Sequence, residues 1–128
     1  MPDFDWVNAL SACSAVKVFQ ELIMQAKDDV NKRKAQLRQG GNEYSFETAM
    51  NKDDLKVFVM GNKISGSVTL SCRDGEIVAL NHDDKVMFAA RPTLNDEGEC
   101  RLRVNGKECE LWQVRKMALE ELFFRRYY

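Results

Sequence analysis

His82 is the only histidine in a chain of 128 residues, so general-base chemistry near neutral pH has to start from it. A serine or cysteine nucleophile needs such a base within hydrogen-bond reach, and a carboxylate to orient the base from its far side. The neighbours of His82 in Asn81-His82-Asp83-Asp84 are too close along the chain to provide that geometry, and no nucleophile elbow is present. The segment reads as an exposed polar turn. No catalytic residue is assigned, and the chain is not expected to be an enzyme.

Cys13, Cys72, Cys100 and Cys109 show neither CxxC nor any other metal-ligand spacing. The acidic start, Met1-Pro2-Asp3-Phe4-Asp5, lacks the basic and apolar regions of a secretory leader. Without secretory context, a disulfide framework is not expected. The four cysteines therefore read as reduced thiols in a cytoplasmic protein, with Cys72, Cys100 and Cys109 buried. The loop carboxylates Asp83, Asp84, Asp96, Glu97 and Glu99 could gather around a hard cation, but their spacing is not that of an EF-hand. Gly61-Asn62-Lys63-Ile64-Ser65-Gly66 resembles a phosphate loop only in its glycines, because a strand follows it and no helix N-terminus faces a phosphate. Neither a metal nor a cofactor is expected.

Two further groups of residues could bind a partner. Lys32, Arg33, Lys34 and Arg38 form a basic cluster that could contact phosphates, although cations at a helix C-terminus also complement its dipole. The tail Phe123-Phe124-Arg125-Arg126-Tyr127-Tyr128 is more unusual. Consecutive aromatics cannot all face one side of a helix, so some must be exposed or dock elsewhere. Aromatic residues with arginine make interface hot spots and stacking surfaces for single-stranded nucleic acid. The opposing reading is that the tail folds back and seals the edge of the core.

The elements that must carry these groups are legible in the periodicity. Trp6, Leu10, Cys13, Val16, Phe19, Ile23, Ala26 and Val30 recur at helical steps, with Val18 and Leu22 widening the stripe, and predict a helix over residues 6–38. Asp3 or Asp5 can cap it, Gly40-Gly41 stops it, and Ser11 or Ser14 could cap a second helix after a break. The period then switches to two over residues 44–50, 55–60, 63–72, 76–80, 85–90, 100–104 and 107–111. Helical spacing returns over 112–126, through Val114, Met117 or Ala118, and Leu122. Trp6 and Trp112, each beginning a helix, read as core.

Asn105-Gly106 and Asp74-Gly75 are two-residue turns that fix the register of the strands around them. The first sets Val104 against Lys107, Arg103 against Glu108, Leu102 against Cys109 and Arg101 against Glu110. The second sets Cys72 against Ile77, Ser71 against Val78, Leu70 against Ala79 and Thr69 against Leu80. Residues 77–80 and 86–90 are apolar on both sides, which predicts a sheet covered twice. The first helix would lie on one face, and the C-terminal helix or another subunit on part of the other.

The fold class expected is α+β in a single domain, 1–128: a long N-terminal helix (6–38), a curved antiparallel meander of six to seven strands (44–111) and a C-terminal helix (112–126). The apolar fraction of 45% and charged fraction of 30% exclude a disordered chain. Nineteen basic and 20 acidic residues nearly cancel, so any attraction to nucleic acid or an anionic membrane must be local. No apolar run approaches bilayer length. The function expected is a non-catalytic protein-interaction module of inhibitor, immunity, adaptor or chaperone type. Its surface would be Phe124, Arg125, Arg126, Tyr127 and Tyr128, or a half-apolar sheet face, with a protein partner or a second copy bound there. One alternative is a nucleic-acid binder using Lys32, Arg33, Lys34, Arg38, Arg125 and Arg126. The other is a domain that holds a small apolar ligand beneath a helix.

Overall fold

A computed structural model describes residues 3–41 and 43–125. The order is α1 (Trp6–Ala12), α2 (Ala15–Gln39), seven strands, and α3 (Leu111–Phe124). The strands are β1 (Ser45–Asn51), β2 (Asp54–Met60), β3 (Ile64–Arg73), β4 (Glu76–Leu80), β5 (Val86–Leu94), β6 (Cys100–Val104) and β7 (Lys107–Cys109). They pair antiparallel in sequence order to make one open seven-stranded sheet, so the α+β meander is as expected. Both hairpin registers hold along the paired rungs. Asp74, Gly75, Asn105 and Gly106 all take positive φ, between 50° and 78°, as two-residue hairpin turns of this type require.

The break in the N-terminal helix falls at Ser14. Its hydroxyl accepts from the Lys17 N–H at 3.2 Å and starts α2, while the Asp5 carboxylate accepts from the Asn8 N–H and starts α1. Gly41, with φ +74°, ends α2 in the left-handed conformation that favours glycine. At the other end, the Gln113 side chain accepts from the Glu110 N–H at 2.8 Å and caps α3. Strand β5 continues beyond residue 90 to Leu94 and takes up the start of the expected loop. Pro92 is tolerated there because the last rung with β4 is Ile77–Ala90, so the strand has one neighbour at that point.

Both long helices pack against the same face of the sheet, which corrects the expectation of the C-terminal helix on the second face and leaves another subunit as the cover expected there. Most of the buried apolar residues of the strands, Phe46, Leu55, Val57, Val59, Val68, Leu70, Ile77, Ala79, Phe88, Ala90, Leu102, Val104 and Cys109, share one face by register. They form one cluster with Leu22, Ala26 and Val30 of α2 and Val114, Leu119 and Leu122 of α3. Each such Leu, Ile, Val or Phe contributes about 1.5–3 kcal/mol by leaving water. Against that, an exposed ion pair contributes about 0–1 kcal/mol, so this cluster decides the fold. On the other face Val78 and Ala89 are half-buried and Val86 and Met87 exposed, and α3 reaches only its margin, where Met87 and Leu122 line one depression. Ser67, Ser71 and Leu80 are buried on that face, the two serines being short side chains flanked by Phe58 and Val78 across the rungs.

Two other expectations fail at α1. None of its residues is buried, and Trp6 is 61% exposed, so it is not core. The helical spacing runs on from α1 into α2, but the chain turns at Cys13-Ser14, so the two apolar stripes do not share a face. Nor are all four cysteines reduced. Cys13 and Cys100 form a disulfide with Cα atoms 5.5 Å apart, within the range that a bridge needs. The partners are 87 residues apart, so no local spacing could reveal them. Cys100 is in phase with Leu102 as expected, but it is the first residue of its strand and is exposed rather than buried. Cys72 and Cys109 are free thiols, and burial pushes the Cys72 thiol pKa up.

Candidate interaction surface

Helix α3 carries two apolar stripes. Val114, Ala118 and Leu122 belong to the sheet core, while Leu119 and Phe123 lie toward the second half of α2. Trp112 continues this second stripe into the first turn, one turn short of the covered region. It is therefore 52% exposed rather than core, and its indole N–H donates to Glu110. Between the helices is a depression of about 340 Å³ whose lining includes Lys32, Arg33, Trp112, Lys116, Phe123 and Phe124. That volume is at the small end for a ligand pocket.

Arg33 spans the end of this groove. Its Nε donates to the Phe123 carbonyl oxygen at 2.8 Å, where the carbonyls at the end of α3 carry the negative end of the helix dipole. The same guanidinium lies 4.2 Å from the centroid of the Phe124 ring, a cation–π contact of about 0.5–1 kcal/mol at an exposed site. Phe124 is nevertheless 64% exposed. Phe123 is buried, 5.0 Å from Phe46 between ring centroids. Arg115 holds the floor, paired with Asp29 at 2.6 Å and hydrogen-bonded to Gln25. The exposed aromatics thus sit on a fixed frame.

The basic cluster does not stay together. Lys32 and Arg33 line the groove, whereas Lys34 is on the opposite flank of α2, 2.8 Å from Glu47 of β1. That hydrogen bond lowers the Glu47 pKa, with Arg38 adding to the same effect from the last turn of α2. Arg125 pairs with Glu121 at 2.7 Å. Arg126, Tyr127 and Tyr128 lie outside the described residues. The structure therefore joins Lys32 and Arg33 to Phe124, across about ninety residues of sequence, and separates them from Lys34 and Arg38.

His82 is near a nucleophile type after all. Its Nδ1 is 2.9 Å from Ser67 Oγ, beside a second depression that includes Asn81, Asp83, Met87 and Arg125. The contact is legible in the sequence: the Asp74-Gly75 register, carried two residues past Thr69–Leu80, places Ser67 opposite His82. Among the described residues no carboxylate hydrogen-bonds the other ring nitrogen, and Ser67 is a buried residue in the middle of a paired strand. The pair satisfies a buried hydroxyl and lacks the orienting group that base catalysis needs. The loop carboxylates also find local roles. Glu99 pairs with Arg101 at 2.7 Å, and the Asn95 side chain accepts from the Glu97 and Glu99 N–H groups. Among the described residues no three His, Cys, Asp or Glu side chains converge as metal ligands would, and no helix is long and apolar enough to cross a membrane. No family model, no curated protein and no solved structure matches this chain.

Proposed function

We propose that this chain is a non-catalytic protein-interaction domain, of the inhibitor, adaptor or chaperone kind, that engages its partner through the groove between α2 and α3. The observation that carries the reading is Phe124, exposed and covered on one side by Arg33, with exposed Trp112 across the same groove. Exposed aromatic side chains beside arginine are the composition of interface hot spots. Arg125 follows Phe124 in the chain and pairs with Glu121 beside the second depression. Nucleic-acid binding is less favoured, because the cations it needs are split between two flanks of α2 and several are already paired with carboxylates. A cytoplasmic location depends on free thiols. With Cys13 bridged to Cys100, an oxidising compartment fits the chain better.

The test compares the full chain with the Trp112→Ser/Phe124→Ser variant in affinity capture and in binding of a fluorescent single-stranded oligonucleotide. Both substituted residues are exposed, so the variant should fold. Loss of captured protein, with no oligonucleotide binding by either form at physiological salt, is the expected result. Capture unchanged by the variant would move the partner surface to the open sheet face. Salt-sensitive oligonucleotide binding lost in the variant would overturn the reading in favour of nucleic acid.

A further inference from the structure

The N-terminal segment carries what the groove lacks. Residues 3–12, Asp3-Phe4-Asp5-Trp6-Val7-Asn8-Ala9-Leu10-Ser11-Ala12, contain two carboxylates and no cation. Trp6, Val7 and Leu10 share one side of α1, and each is at least half exposed. The segment is not a loose arm. The Phe4 ring lies against Gly98, where a Cβ would come within 2.6 Å of the ring, and Cys13 is bridged to Cys100. An apolar helix face is thus held out from the body in a defined position. In the groove, Lys32, Arg33, Arg115 and Lys116 stand against Asp29 and Glu120. Four cations less two anions leave two positive charges, opposite in sign and equal in size to the two carboxylates of the segment.

We infer that α1 of one copy docks in the α2–α3 groove of a second copy, with Trp6 and Leu10 set against Trp112 and Phe124. Within its own chain α1 is held elsewhere, by Phe4 on Gly98 and by the Cys13–Cys100 bridge, and none of its residues lines the groove. The groove begins at Asp29, fourteen residues along α2 from Ala15, or about 21 Å at the helical rise. From a pivot at Cys13, seven residues of helix bring Trp6 no further than about 11 Å. A two-fold arrangement, each α1 in the other copy's groove, uses both surfaces and closes the assembly as a dimer. The pairing follows the helix-in-groove mode, in which an apolar helix face supplies anchors at i and i+4. This inference rests on the groove being an interaction site, and it names the occupant.

Sedimentation of the full, non-reduced chain tests it, with one variant for each side of the contact. Trp6→Glu/Leu10→Glu removes the docking face, and Lys116→Glu/Phe124→Ser removes the groove. All four residues are exposed, so both variants should keep the parent melting temperature at low concentration. Wild type should be a dimer, and each variant should raise the dimer Kd by about thirtyfold or more, the scale of a lost hot spot. Mixing the two variants should restore a heterodimer, since one α1–groove contact then remains intact. A wild type that stays monomeric at its highest soluble concentration overturns the inference, as does a dimer that neither variant weakens. Failure of the mixture to associate also overturns it. If wild type is monomeric while groove variants still lose a captured protein, the interaction-domain reading stands and the second copy is not its partner.

Discussion

Helix α3 buries Val114, Ala118, Leu119, Leu122 and Phe123 in the common core, whereas α1 buries none of its residues and lies against β5, anchored by the Phe4 ring on Gly98 before it and the Cys13–Cys100 disulfide after it. Each contains tryptophan and leucine at helical spacing, and read alone each resembles a core helix. What separates them is the geometry at their inner ends. Arg33 and Arg115 tie α3 along the side of α2, while the break capped by Ser14 turns α1 away from α2 and toward β5. Apolar spacing therefore tells which residues share a face, and the connection decides whether that face meets anything.

The largest effect expected from this contrast is on the α3 side. Phe123→Ala removes a buried ring packed on Phe46 and should lower unfolding free energy by about 3–5 kcal/mol in urea titrations. A loss below about 1 kcal/mol, the scale of a surface substitution, would mean that α3 is as peripheral as α1. Next comes the bridge. Cys13→Ser with Cys100→Ser should cost about 2–4 kcal/mol, because the disulfide closes a long loop in the unfolded chain. Hydrogen exchange should then show α1 amides unprotected while α3 amides stay protected. Equal loss of protection in both helices would break the distinction. The smallest effect should come from Trp6→Ala, within about 0.5 kcal/mol at concentrations too low for association, since its ring is exposed. A loss of several kcal/mol there would place Trp6 in a contact within its own chain.

Much of this architecture is legible in the order of the residues, though unevenly. The strands and their registers follow from Asp74-Gly75 and Asn105-Gly106, because a two-residue turn fixes every rung behind it. The same register, carried two rungs further, holds the Ser67–His82 contact. The placement of the helices is not legible in the same way. Strands 77–80 and 86–90 are apolar on both sides, but local apolarity does not tell which face a helix takes, and both long helices pack on the same one. The groove joins Arg33 to Phe124, and the disulfide joins Cys13 to Cys100, over separations of about ninety residues. Such pairings are set by how the sheet brings its two ends together, and no short window of sequence contains them. The tail composition does point to the right part of the molecule for an exposed aromatic, and Phe124 is that residue.

The bridge between Cys13 and Cys100 also determines how the molecule carries load. It ties the junction of α1 and α2 to the first residue of β6, so α2 and strands β1 to β5 lie inside a covalent ring. A pull on the two ends of the chain runs from residue 13 to residue 100 through the sulfur atoms and bypasses everything between. Roughly 300 Å of contour, at the extended length per residue, is withheld from stretching. Only α1, the β6–β7 hairpin and α3 remain in series with the force, so under tension α3 and that hairpin come away first while β1 to β5 stay inside the ring.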